Sequence, residues 1–340
     1  MTTRLKVITN SELTCFRRCQ REHRYAYGLG YRAVEDVESL RFGAAIHLGL
    51  EAWWLGKGVE CAIERATEKT ADAFEAAKLR VLLRGYDARW SSEHHAVVGV
   101  EVEFRAPLVN PESGSVSRTY ELGGKIDVLL ARGFCEHKTT AQEIGVGSVY
   151  WRKLVLDPQV STYYAGAKAL GHEVDHCVYD VIRKPAQRPS QVPLLDDDGV
   201  KIVLDLAGAR VRTKDGKKWR QTGDGELGYV LQTRPETAEE YEARLTEEVA
   251  ANPDRYYQRG EVVRLEAEER EAQLDAWQLT RSMREAELAG RFPRNVDACE
   301  RYGRVCSFFS VCSGTASLDD PGLFQRVDRV HQELSAETAA

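Results

Sequence analysis

A mixed α/β fold, with one sheet flanked by helices and further helices beyond it, is predicted by three observations. The hydrophobic period changes from helical to two at about residue 98. The elements around that change run helix, three strands, helix, strand. The closing strand-helix-strand crossover favours a parallel pair at its end.

Each element has its own warrant. SELTCFRRCQREHRYAY, from Ser11 to Tyr27, carries helix formers behind a serine N-cap candidate, with Glu12 in the first turn and Gly28 and Gly30 as stops. Residues 40–56 place Ile46, Leu50 and Trp53 at helical spacing, and 59–90 reads as one long amphipathic helix. Val98, Val100, Val102 and Phe104 then alternate with Gly99, Glu101, Glu103 and Arg105, as in a half-buried strand. Strands 119–131 and 133–138 follow, joined across Arg132-Gly133. Asp157-Pro158 supplies an N-cap and an N1 proline for a helix that stops at Gly171, and VDHCVYDVIR, 174–183, closes the unit. Residues 184–235 depart from this pattern. They hold Pro185, Pro189, Pro193, a DDDG turn and the basic stretch ARVRTKDGKKWR, and read as an insertion in a single domain over 1–314. Helices resume at 236–252 and 266–289, and a tail, 315–340, ends in SAETAA, expected to fray.

Composition narrows the function. A chain of 340 residues with 43% hydrophobic and 29% charged residues can bury a substantial core. A net charge of -6 argues against coating nucleic acid by bulk charge and leaves local basic patches open. No apolar run is long enough to span a bilayer and no apolar leader opens the chain, so the expected location is cytoplasmic and its eight cysteines are expected as thiols or metal ligands.

Two carboxylates carry the chemistry. Asp127 sits in the apolar strand GGKIDVLL, with Ile126, Val128 and Leu130 expected on one face and Lys125, Asp127 and Leu129 on the other; a buried acid there needs a partner or a metal. In GFCEHKTT, Phe134, Glu136 and Lys138 share a face. A tight turn between antiparallel strands would bring Asp127, Glu136 and Lys138 together. Paired carboxylates of this kind suit Mg²⁺ or Mn²⁺, which polarise a phosphodiester, while a lysine ammonium orients water or offsets developing charge. His47 follows Gly43 by one helical turn, the glycine leaving room beside the imidazole, and Gln159 and Tyr163 lie one turn apart on the helix after the strands.

In this order, Gly43 to His47, Asp127, Glu136-x-Lys138 and Gln159-x-x-x-Tyr163 resemble RecB-like nucleases of the PD-(D/E)xK superfamily, over residues 11 to about 180. The resemblance implies a restriction-endonuclease-like core. It also implies metal ligands at His47, Asp127, Glu136 and the backbone carbonyl of His137, a catalytic lysine at Lys138, and DNA positioning by Gln159 and Tyr163. A further glutamate on the preceding strand would be Glu101 or Glu103, both of which qualify.

CERYGRVCSFFSVC sets Cys299, Cys306 and Cys312 close together among aromatics, a soft-metal pattern lacking a fourth ligand. The sequence resembles the iron-sulfur RecB-like exonucleases, CRISPR-associated ones included, which join one early cysteine to three late ones around a [4Fe-4S] cluster. That resemblance implies Cys19 as the early ligand and 299–312 as a clasp; zinc is the rival metal. Gln20 and Ser307 stand where the family often has proline, and the first late spacing is longer than is usual there.

The expected activity is metal-dependent DNA exonuclease, on single strands or ends, in recombination, repair or phage DNA processing. The alternatives are a non-catalytic DNA-binding subunit of a recombination or CRISPR adaptation complex, and a structure-specific endonuclease. Lys217, Lys218, Trp219 and Arg220 in the insertion are expected to meet DNA, the cations at phosphates and the indole on a base.

Overall fold

The computed structural model describes residues 5–35, 38–154, 156–301 and 303–334. A short strand, β1 (Lys6–Ile8), leads into α1 (Asn10–Arg18). Its N-cap is Thr9 rather than Ser11, the Thr9 hydroxyl accepting from the Glu12 N–H. The helix expected to reach Tyr27 breaks at Cys19, which is extended (φ −157°, ψ 112°), and resumes as α2 (Gln20–His23) and one π turn, Arg24–Gly28. Backbone groups at the break are taken up by the far end of the chain. The Arg21 N–H donates to the Pro293 carbonyl at 3.2 Å, and Asn295 Nδ2 donates to the Arg18 carbonyl at 2.9 Å. β2 (Tyr31–Ala33) and α3 (Glu38–Trp54) follow. The helix expected over 59–90 is two, α4 (Val59–Thr67) and α5 (Ala73–Trp90), because Asp72 caps the second by accepting from the Phe74 and Glu75 N–H groups.

Next come β3 (Val97–Val109), β4 (Val116–Leu130), β5 (Gly133–Thr140), α6 (Val149–Leu154), α7 (Pro158–Ala169) and β6 (His176–Arg183). The sheet is mixed and flanked by helices, of the restriction-endonuclease-like kind. β3 runs antiparallel along one edge of β4. The other edge of β4 is divided: β1 pairs with it in parallel at Tyr120–Leu122, and β5 pairs antiparallel at Val128 and Leu129. Between these contacts, residues 123–127 lie in a fork of the sheet. The parallel pair that the crossover favours is β5 with β6, in register from Gly133–His176 to Thr140–Arg183.

Side-chain alternation slips at this fork. Leu122 and Ile126 pack in the core on one face of the sheet, Val128 and Leu130 in the core on the other, so Ile126 does not share a face with Val128 as its spacing predicts. On β3, Val102 and Phe104 pack with the first core and Val100 with the second. Both strands slip at one rung, so the register on either side is unchanged, with Val100 opposite Val128 and Val102 opposite Ile126. Glu101 sits at that rung with φ 55°, the one non-glycine residue with positive φ among those described. Backbone in that region costs about 1–3 kcal/mol for a side-chain-bearing residue, a strain that tends to gather at functional sites.

The 184–235 segment is an arm of short ribbons. β7 (Gln191–Pro193) pairs with β10 (Thr233–Pro235) at its base, and β8 (Val203–Leu204) with β9 (Val230–Leu231) beyond it. α8 (Ala238–Ala251), α9 (Pro253–Tyr256) and β11 (Tyr257–Val262) return the chain to the sheet, where β11 runs antiparallel to β6. After α10 (Glu266–Ala289), a small hairpin of β12 (Glu300–Arg301) and β13 (Arg304–Val305) precedes α11 (Phe309–Ser313). Within the segment read as a tail, β14 (Phe324–Arg326) pairs with β2, and Phe324 stacks on Phe308 with centroids 5.5 Å apart. SAETAA lies outside the described residues. No helix among the described residues is long and apolar enough to cross a membrane.

Candidate active site

The fork in β4 opens into a cavity of about 460 Å³, whose walls include His47, Glu101, Asp127, Glu136, Lys138, Gln159 and Tyr163. The β4–β5 pairing puts Asp127 level with Glu136, one rung beyond Val128–Cys135. There the ladder gives way to a side chain: the His137 N–H donates to Asp127 Oδ2 at 2.7 Å. Both carboxylates are buried, Asp127 at 7% exposure and Glu136 at 2%. His47 reaches the pair from α3, its Nδ1 3.7 Å from Asp127 Oδ1 and its ring edge-on to the His137 ring. Gly43 does not serve the imidazole; a Cβ there would meet Thr139 Oγ1 at 3.1 Å, so the glycine seats α3 on β5.

α7 supplies the opposite wall. Asp157 caps it, with Pro158 at the first turn, as its sequence predicts. At Gly166 an added Cβ would meet the Phe104 ring at 2.5 Å, so the helix lies directly on β3 and β4. That approach places Gln159 over the carboxylates: its Nε2 donates to Glu136 Oε1 at 2.8 Å and to the Tyr163 hydroxyl at 2.8 Å, and its Oε1 accepts from Lys138 Nζ at 2.9 Å. Lys138 also pairs with Glu136 Oε1. The Tyr163 ring is buried edge-on against Phe104 and Phe134, so only its hydroxyl serves the cavity.

The electrostatics are those of a site built around a cation. Burial, then the Asp127 charge, push the Glu136 carboxyl up, outweighing the single ammonium of Lys138. Burial lowers His47, keeping a lone pair available. Glu136 Oε2 is buried with no hydrogen-bond partner. Donor atoms of His47, Glu101 and Asp127 all lie within 4.8 Å of one another. An orphaned carboxylate oxygen beside one imidazole and two further carboxylates fits a hard divalent ion. Of the two glutamates left open by the sequence, Glu101 lines the cavity, ion-paired with Lys125, and Glu103 does not. The slip in alternation selects it, a feature no hydrophobic pattern reveals.

Cys19, Cys299, Cys306 and Cys312 line one small cavity with Phe308 and Phe309, and all four are free thiols. The break after α1 aims Cys19 there. The long Cys299–Cys306 spacing is accounted for by the β12–β13 hairpin, which loops out and returns so that the Cys306 N–H donates to the Cys299 carbonyl at 2.7 Å. α11 brings Cys312 back, its N–H bonded to the Phe308 carbonyl at 3.0 Å. Burial pushes Cys306 up to about 11 and, together with the Cys19 thiol, raises Cys312. Four thiols converging on an aromatic-walled cavity fit a four-thiolate metal group. Cys15 is buried outside that cavity, beside Arg18.

The structure does not bring the basic stretch of the insertion into this cavity. Lys217 and Lys218 are exposed at its turn. Trp219 is stacked by the guanidinium groups of Arg210 and Arg212, 4.5 and 4.1 Å from its centroid, and Arg220 pairs with Asp224 and lies over Tyr229. Sequence reasoning also missed Asp180, buried in the apolar strand CVYDVIR, although the argument made for Asp127 applies to it unchanged.

A sequence model described as the PD-(D/E)XK nuclease superfamily matches residues 7–313. No curated protein matches the chain.

Proposed function

Because the chain belongs to the PD-(D/E)XK nuclease superfamily, a family of metal-dependent nucleases, we propose that it hydrolyses DNA phosphodiester bonds as a RecB-like exonuclease on single strands or ends. The observation that carries this reading is the buried, unpartnered Glu136 Oε2 in a cavity shared with Asp127, Glu101, His47 and Lys138. His47, Glu101, Asp127, Glu136 and the His137 carbonyl would hold Mg²⁺ or Mn²⁺. Such an ion, when bound, supplies charge neutralisation at the phosphate and a more acidic water. Lys138 offers its ammonium to the attacking water or to the charge that grows on the phosphoryl oxygens. Gln159 holds that ammonium and Glu136 in fixed relation, and Tyr163 holds Gln159. The role in the cell belongs to recombination, repair or phage DNA processing, and the four cysteines support the iron-sulfur branch of the family, with a [4Fe-4S] clasp. The test is cleavage of end-labelled and circular single- and double-stranded DNA, with EDTA, Mg²⁺ or Mn²⁺. Linear single strands are expected to shorten only with metal. Cleavage of closed circles would replace exonuclease with endonuclease, and DNA binding without cleavage would leave a binding subunit.

The insertion serves as an accessory DNA contact through Lys217 and Lys218, with Trp219 presenting Arg212. Its base leaves the sheet at the end of β6, where the Lys184 N–H donates to the Thr140 carbonyl of β5 at 2.7 Å, beyond Lys138 on the same strand. Lys217→Ala with Lys218→Ala is expected to weaken single-strand binding and to flatten the log-log salt dependence by about 1.4, two contacts at about 0.7 each. An unchanged slope would assign the arm to solvent.

A further inference from the structure

On the face of the sheet that α3 and α5 cover, next to His47, three neighbouring strands place one residue each on a single rung. His137 of β5 is in register with Asp180 of β6, and Asp180 with Arg259 of β11. Asp180 is fully buried. Its Oδ2 accepts from the Tyr86 hydroxyl at 2.6 Å and from Arg259 at 3.0 Å, and lies 3.4 Å from His137 Nδ1. Arg259 also donates to the Tyr86 hydroxyl at 2.8 Å and lies 4.2 Å from the Trp90 ring centroid. A buried ion pair of this sort rarely adds stability over apolar residues of the same volume, because desolvation costs several kcal/mol per ion. Its directional bonds can instead fix a position.

What it fixes is His137. The side chain of that residue faces this network and lies edge-on to the His47 ring, centroids 6.2 Å apart, while its N–H holds Asp127 in the cavity wall. Cys135, His137 and Asp180 offer donor atoms within 4.8 Å of one another, as a metal site would. The Arg259 guanidinium on the same Asp180 oxygen already supplies the positive charge there.

We propose that Asp180, Tyr86 and Arg259 are positioning residues which, by clamping the His137 ring, hold the His137 peptide groups in the geometry that binds the divalent ion beside it. The inference rests on the nuclease reading above. The test is Mn²⁺ binding without DNA, followed by electron paramagnetic resonance, together with kcat and KM for cleavage. The proteins are wild type, Asp180→Asn, Tyr86→Phe and Glu236→Gln, the last removing a buried charge paired with Arg244 on the α8 side. Asp180→Asn is expected to weaken Mn²⁺ binding by about tenfold or more, as losses behind metal ligands do, and to lower kcat with little change in KM for DNA. Tyr86→Phe should shift Mn²⁺ binding a few-fold in the same direction, whereas Glu236→Gln should lower the melting temperature alone. If Asp180→Asn does not fold, Tyr86→Phe decides. Variants that lose stability like Glu236→Gln yet bind Mn²⁺ as wild type does would overturn the positioning role. So would a stoichiometric zinc in the wild type that Cys135→Ser removes. Wild type that neither binds Mn²⁺ nor cleaves DNA would overturn the nuclease reading itself.

Discussion

Lys138→Ala is expected to slow DNA cleavage by on the order of 10³-fold at saturating Mg²⁺ or Mn²⁺, while leaving the fold intact. One preorganised charge aimed at the reacting group is worth about 10²–10³ in rate in a water-poor site. Lys138 is held in place by Glu136 and by Gln159 at 2.9 Å. Asp127→Ala and Glu136→Ala should lose cleavage to the same extent, because each removes a proposed metal ligand. Without metal these two carboxylates oppose each other, and the Asp127 charge contributes to raising Glu136. Glu136→Ala is therefore expected to melt at or above the wild-type temperature in EDTA and below it in excess Mn²⁺. Single-turnover cleavage and thermal melts in both conditions check this. Lys138→Ala that cleaves at the wild-type rate would sink the assignment.

Protein purified without oxygen is expected to be brown, with broad absorption near about 400 nm and about four irons per chain. Cys19→Ala should lose the colour and lower the melting temperature by on the order of 10 °C, since metal–thiolate energy is shared with folding. The physical reason lies in the broken helix. Cys19 is reached through contacts that join α1 and α2 to residues 293–295, so losing its ligand loosens both ends at once. Iron and zinc analysis with absorption spectra decides the metal. Colourless protein with one zinc would remove the iron-sulfur assignment and keep the clasp.

The core and the cavity were legible because short-range signals wrote them. Period two over Val98–Phe104, the Asp157-Pro158 cap and the acid in an apolar strand are local, and local chemistry fixed the elements that carry Asp127, Glu136, Lys138 and Gln159. What escaped depends on distant partners. The break at Cys19 is held by Pro293 and Asn295, β1 and β14 are too short to show a period, and the use of Glu101 depends on two strands slipping at the same rung. Trp219 could be seen as an aromatic in a basic stretch, but not as a ring already covered by Arg210 and Arg212.

The pairing of β2 with β14 and the gathering of Cys19 with the three late cysteines set an order of events during synthesis. Cys19 leaves the ribosome about 290 residues ahead of Cys312, which at about 5–20 residues per second is roughly 15–60 s. For that interval the early thiol has no partners and β2 has no neighbouring strand, while β3 to β6 can already form the nuclease sheet. Loading of the proposed metal group at the cysteines would thus follow translation of nearly the whole chain, and a ribosome that stops before Cys299 would release a sheet whose ends have not been joined.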